Sequence, residues 1–312
     1  MVTAVLLCPG QGAQRVGMGK DLAERFPAAR DVFAAVDDAL GVPLSRIMWE
    51  GPEDELTLTH NAQPAILAHA VAVHAVIAGA LAPELGAGHS LGEYSAYVAA
   101  GALTLADAAR LVRRRGQLML EAGRGRPGTM AAVVGLDAER IAEVCHAQSG
   151  DGRVVVAANF NAPDQTVISG DPEAVARAGE QLKKIGAKRV LALKVSGAFH
   201  SPLMEPAEAG LKGELARVTV REPAFAIVAN ATAQAVTTAA DARRLLGAQL
   251  TAPVRWVASM RLAAERAGAR TTFLEIGPGA VLAGLLKRIV PQRAAETLGT
   301  AEQVTAFMER HG

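Results

Sequence analysis

Cysteine is nearly absent: Cys8 and Cys145 are the only two in 312 residues. Two thiols cannot build a disulfide framework, and neither sits in a CxxC pair or a Cys/His cluster that could hold zinc. That usage points to a reducing compartment, the cytoplasm. An excess of charge of one sign is also missing. The 32 Lys plus Arg against 31 Asp plus Glu leave a formal charge of +1. No basic field would gather nucleic acid or anionic membrane, so neither is expected as a partner. The opening MVTAVLLCPG has no basic leader and reaches Pro9 after a short apolar run, so export is not expected. The apolar stretch 65–82 has nearly spanning length, but it is alanine-rich, carries His69 and His74 and follows Pro64. It reads as a buried helix. Aromatic residues make up only 4%, and no fixed-period repeat, low-complexity tract or heptad run appears.

What is present is an α/β rhythm. Residues 2–7 are β-branched and apolar and run into Pro9, Gly10 and Gly12, the pattern of a buried strand feeding a tight turn. Alanine-rich helical patterns follow at 20–40, 64–81 and 103–122, and short strands are expected at 226–229 and 272–276. Residues 130–195 change rhythm to strand (130–134), helix (138–148), strand (154–159), strand (165–169), helix (172–185), strand (189–195). This βαββαβ order predicts a ferredoxin-like unit, residues 127–196, inserted into an α/β core made of 1–126 and 197–312. A cleft is expected between the two parts. The residues after Pro291 read as a polar tail.

Gly88, His89, Ser90, Leu91 and Gly92 spell GxSxG between a strand-like segment and a helical one. The glycines allow a cramped turn that lifts the hydroxyl of Ser90 out of the sheet, and the following helix N-terminus aims amides at negative charge forming there. A serine nucleophile needs a base. Of seven histidines, His69, His74 and His146 lie on helical patterns, His60 precedes one and His311 is terminal. His89 adjoins the serine but should leave the turn in another direction, as a structural hydrogen-bonder. His200, in SGAFHSP where the chain re-enters the core beside the cleft, is the candidate base, with a purely structural histidine as the alternative.

On a helical wheel of 105–120, Arg115 falls among Leu105, Ala108, Leu111, Val112, Leu118 and Met119, while Arg110, Arg113 and Arg114 fall outside. An inward guanidinium with no acid on its arc needs an anion from elsewhere. Either a protein carboxylate across the cleft or the carboxylate of a ligand would serve. The opening PGQGAQRVGMG fails as a nucleotide loop, because Arg15 stands where the dinucleotide fingerprint needs glycine and Met18 where the phosphate loop needs lysine. Its amides could instead supply half of an oxyanion site opposite Leu91.

In order, PGQGAQ, HNAQPA, GHSLGEYSA, the Arg115-Gly116 helix, NFNAP, SGAFHSPLM, QLTAPVRW and EIGPGAVLAGLLKR resemble the malonyl-CoA:acyl carrier protein transacylase family of bacterial fatty acid synthesis. The resemblance covers nearly the whole chain. It implies a hydrolase-like parallel-sheet core, Ser90 as nucleophile, His200 as base, and backbone amides of Gln11 and Leu91 as the oxyanion hole. It also implies Arg115 as the grip on a malonyl carboxylate, Gln249 in the region that orients the histidine, Asn161 as a polar neighbour, and Phe199 and Leu91 as marks of malonyl selectivity. Malonyl-CoA and acyl carrier protein are the implied partners, with coenzyme A and phosphopantetheine thioesters as substrates and no further cofactor. Cys8 and Ala13 depart from the family's commoner Phe and Ser, which touches local packing only. An acidic carrier protein calls for a basic docking patch, for which Arg113, Arg114, Lys183, Lys184, Lys188, Arg189, Lys287 and Arg288 are candidates. A serine thioesterase and a noncatalytic acyl-binding module are the competing readings.

Overall fold

The apolar run at the start is a strand, β1 (Val2–Cys8), and in a computed structural model describing residues 1–312 it lies inside a six-stranded sheet. The other strands are, in chain order, β2 (Leu81–Gly88), β3 (Thr129–Val134), β4 (Val155–Ala162), β5 (Gln165–Gly170) and β6 (Arg189–Ala192), then β7 (Ala226–Val228), β8 (Ala235–Val236), β9 (Thr272–Ile276) and β10 (Ala295–Leu298). The large sheet runs β10-β9-β1-β2-β7-β8, parallel except for the antiparallel β7–β8 pair. A parallel sheet needs cover on both faces, and the period-two alternation of β1 supplies both. Ala4, Leu6 and Cys8 pack into the core that holds the helices Pro27–Leu40, Thr59–Ile77 and Leu105–Gly125. Val5 and Leu7 face the opposite way, against Trp256–Arg266 and Val281–Ile289.

The second sheet is antiparallel in the order β4-β5-β3-β6. Its helices, Ala138–Gln148 and Pro172–Lys184, share a separate small core with Val133, Ile141, Ile168 and Leu182. The expected α/β class with a βαββαβ insertion is therefore present. Two backbone bonds join the units: Phe160 N–H donates to Val254 O at 2.9 Å, and Val254 N–H to Ala158 O at 2.8 Å.

Several boundaries differ from the sequence reading. The 20–40 pattern is two helices, Lys20–Arg25 and Pro27–Leu40, because Phe26 before Pro27 is held extended. The apolar helix starts earlier, at Thr59, and places Pro64 inside it; long and apolar enough to cross a membrane, it is largely buried in the core. The strand expected at 189–195 stops at Ala192, which frees Leu193, Lys194 and Val195 to line the cleft. The supposed polar tail is a structural element. Residues 295–298 form β10 on the edge of the large sheet, and Ala301–His311 is a helix with Val304 and Phe307 fully buried. Its start is a capping box in which Thr300 and Gln303 satisfy each other's amides, a signal that the high polarity of the segment hides.

Candidate active site

The site is assembled at the carboxyl ends of β1, β2 and β7, where open α/β sheets hold their ligands. Ser90 follows β2 and has φ 51°, the left-handed region. The turn around it tolerates only glycine on either side. A Cβ on Gly88 would stand 1.9 Å from the carbonyl carbon of Gly92, and one on Gly92 would stand 2.1 Å from the carbonyl oxygen of Cys8. Two side chains clamp the peptide units of Ser90. Its N–H donates to Asn230 Oδ1 at 2.6 Å, and its carbonyl accepts from Gln249 Nε2 at 3.0 Å. Asn230 in turn donates to the carbonyl of Gly88 at 2.6 Å.

His200 comes from the loop after β6 and also has positive φ, 57°. Its Nδ1 lies 3.0 Å from the carbonyl of Gln249 and 3.1 Å from that of Ala252. Two acceptors there place the proton on Nδ1 and leave Nε2 as an acceptor, 2.8 Å from Ser90 Oγ. Burial, with the Arg115 charge second, lowers its pKa to about 3, so the imidazole is neutral at neutral pH. Gln249 contacts the histidine through its main-chain carbonyl, while its side chain serves Arg115 and Ser90.

Arg115 is buried on Leu105–Gly125, as the helical wheel requires. Nη1 donates to Gln63 Oε1 at 2.8 Å; Nη2 donates to Gln249 Oε1 at 2.9 Å and to Ser90 Oγ at 3.0 Å. The guanidinium also lies over the Tyr94 ring, 5.8 Å from its centroid. No carboxylate is ion-paired with it. Of the two anions considered from the sequence, a directly bound protein carboxylate is absent, and the guanidinium faces a cavity of about 320 Å³ that Ser90 and His200 also line.

Gln11 and Leu91 line the same cavity, and neither amide donates a hydrogen bond within the chain. Asn161 lies 2.8 Å from His89 Nε2, so His89 is the structural hydrogen-bonder expected, and Phe199 is a buried part of the wall. Among the proposed docking cations, Arg114 and Arg288 are engaged with Glu121 and Asp164, and Arg113 donates to Asn61. Gln63 and Asn230 also belong to the site, bonded to Arg115 and to the Ser90 amide, although no motif marks their roles in the sequence. Gln63 lies within HNAQPA, and Asn230 is the first polar side chain beyond β7, the neighbour of β2.

The acyl transferase domain family matches residues 5–310. The malonyl CoA-acyl carrier protein transacylase of Bacillus subtilis is 44% identical over 307 residues, 98% of this chain and 95% of that protein. An acyl-carrier-protein-S-malonyltransferase from Bartonella henselae superposes with TM-score 0.93 at 43% identity, covering 100% of both chains. A type II PKS acyl-carrier protein in complex with its malonyl-transacylase provides another structure with TM-score 0.93, at 42% identity over 99% of this chain and 100% of that one. Over nearly its full length, then, this chain belongs to the acyl transferase domain family.

Proposed function

We propose that the protein transfers a malonyl group from malonyl-CoA to the phosphopantetheine thiol of acyl carrier protein through a malonyl-Ser90 ester. The observation that carries this reading is the meeting of a hydroxyl, a neutral imidazole and a carboxylate-free guanidinium within 3.0 Å. Ser90 Oγ donates to His200 Nε2 and accepts from Arg115, so its proton already points at the base. As Oγ attacks the thioester carbon, His200 takes that proton and the carbonyl oxygen becomes an oxyanion. The free amides of Gln11 and Leu91 are its donors. Collapse expels coenzyme A thiolate, which recovers the proton from His200, and leaves the ester. The carrier thiol repeats these steps in reverse order, which makes the kinetics ping-pong.

Arg115 selects the acyl group. A malonyl carboxylate gives it the missing anion, whereas an acetyl group leaves it with neutral partners only. That carboxylate would also offset the charge that depresses His200, raising the basicity of the imidazole when the right substrate is bound. Asn161, through His89, and Phe199 complete the wall on the side of the 127–196 unit, which we treat as the smaller of two subdomains around the cleft. The reaction runs on thioester substrates without a further cofactor, in the cytoplasm.

Incubation with malonyl-CoA followed by intact-mass measurement tests the reading. Wild type should gain one malonyl group and lose it to added carrier protein. Ser90→Ala should gain none, and His200→Ala should be slowed by roughly 10²- to 10⁴-fold. An adduct that survives in Ser90→Ala, or that passes to water as fast as to carrier protein, would overturn it.

A further inference from the structure

The second residue of the helix Gly92–Ala99 is a glutamate, Glu93, which is 1% exposed. A carboxyl group so deep in a core is costly to retain unless its hydrogen bonds do something a hydrophobic residue could not. One of its oxygens, Oε2, accepts from the main-chain N–H of Asn230 at 3.0 Å and from Gln249 Nε2 at 2.7 Å. The other, Oε1, has no partner. Both residues held by Oε2 are the clamps of the nucleophile turn: Asn230 accepts the N–H of Ser90, and Gln249 donates to its carbonyl. Gln249 also accepts from Arg115 Nη2.

We infer that Glu93 is a positioning residue: a single buried carboxyl oxygen sets the Ser90 turn and the Arg115 guanidinium in mutual register by fixing Asn230 and Gln249. The inference rests on the acyl-transfer reading above and deepens it. Ser90 sits at φ 51°, a conformation that a residue other than glycine keeps only when its surroundings over-determine it. Hydrogen bonds on both flanking peptide units do that, and both lead back to Glu93. Gln249 divides its side chain between the two jobs, with its amide nitrogen on Ser90 and Glu93 and its amide oxygen on Arg115. If Glu93 releases Gln249, the nucleophile and the carboxylate grip shift together. Acceptance by Oε2 does not require ionisation. Burial raises the Glu93 pKa to about 7 against the pull of both hydrogen bonds and Arg115, and in the acid form the proton can sit on the unpartnered Oε1. Glutamine should therefore substitute in part, while aspartate, one methylene shorter, should not reach.

Single-turnover acylation of Ser90, measured per active site with malonyl-CoA and with acetyl-CoA, tests this in wild type, Glu93→Ala, Glu93→Gln and Glu93→Asp. Glu93→Ala should lose roughly 100-fold in malonyl transfer, the scale of a misplacement near 1 Å, and its malonyl-to-acetyl ratio should fall about fivefold or more. A purely structural role would lower the number of active sites and leave that ratio unchanged. Glu93→Gln should stay within about tenfold of wild type and keep the ratio, and Glu93→Asp should be slower than Glu93→Gln. Glu93→Ala within about threefold of wild type would overturn the inference, as would an unchanged ratio in that variant. So would Glu93→Asp equalling or outperforming Glu93→Gln, a comparison that decides alone if the alanine variant does not fold. A wild type that forms no malonyl adduct would count against the acyl-transfer reading itself, and a labelled wild type with variants in the wrong order would count only against Glu93.

Discussion

Replacing Arg115 with methionine removes the guanidinium and keeps most of the volume and apolar character of its stem on Leu105–Gly125. In the unliganded site Nη2 bonds two neutral oxygens, Ser90 Oγ and Gln249 Oε1. A malonyl carboxylate would exchange two bonds of one-sided charge, at about 1.5 kcal/mol each, for two between opposite charges at about 3 kcal/mol each. The difference, about 3 kcal/mol, corresponds to on the order of 100-fold in kcat/KM. An acetyl donor gains none of it. The assay is therefore a ratio: kcat/KM for malonyl-CoA over that for acetyl-CoA, in wild type and Arg115→Met, with holo carrier protein as acceptor. The ratio should fall by about two orders of magnitude, and acetyl transfer should hold or rise as the cation beside His200 disappears. An equal loss with both donors would refute the reasoning, because it would make Arg115 a support of the turn alone.

Gly92→Ala should abolish acylation and lower soluble yield, since its Cβ would meet the Cys8 carbonyl at 2.1 Å and neither backbone can retreat without opening the β1–β2 pair; an active, stable variant would contradict that packing. Acid should destabilise the fold. Burial lowers His69 to about 4 and His200 to about 3 from an ordinary 6.5, so their contribution is intact above pH 6.5 and is lost as pH falls toward the folded values. Glu93, raised from 4.5 to about 7, works oppositely, its contribution being present below pH 4.5 and lost as pH rises through 7. Burial also lowers His60, His74 and His89 and raises Glu275, so five histidines act against two carboxyls and the urea midpoint should be lower at pH 5 than at pH 6.5; equal midpoints at the two pH values would contradict it.

The parts of this molecule that were legible in the sequence are those whose signal is local and periodic. The β1 run, the βαββαβ rhythm and the inward arc of Arg115 each express one element's own geometry, and each appears in the fold as read. GxSxG was legible because steric exclusion at Gly88 and Gly92 leaves no other residue possible. The terminal strand and helix are not legible because a short edge strand carrying Glu296 and Thr297 and a capped amphipathic helix are both rich in polar residues. Asn230, Gln63 and the division of labour within Gln249 were illegible for another reason. Their partners lie 140, 52 and 159 positions away along the chain, and only the packing of strands and helices brings them together.

The two main-chain carbonyls behind His200 stand where a hydrolase of similar layout would place an aspartate or glutamate. Burial, with the Arg115 charge second, holds the imidazole to a pKa of about 3, and the uncharged acceptors orient the ring without the negative charge that would raise it further, so it stays a feeble base. Drawing a proton from water, near 15.7, is far harder for such a base than drawing one from a thiol, about seven units more acidic. An ester on Ser90 would thus yield more readily to a thiol than to water.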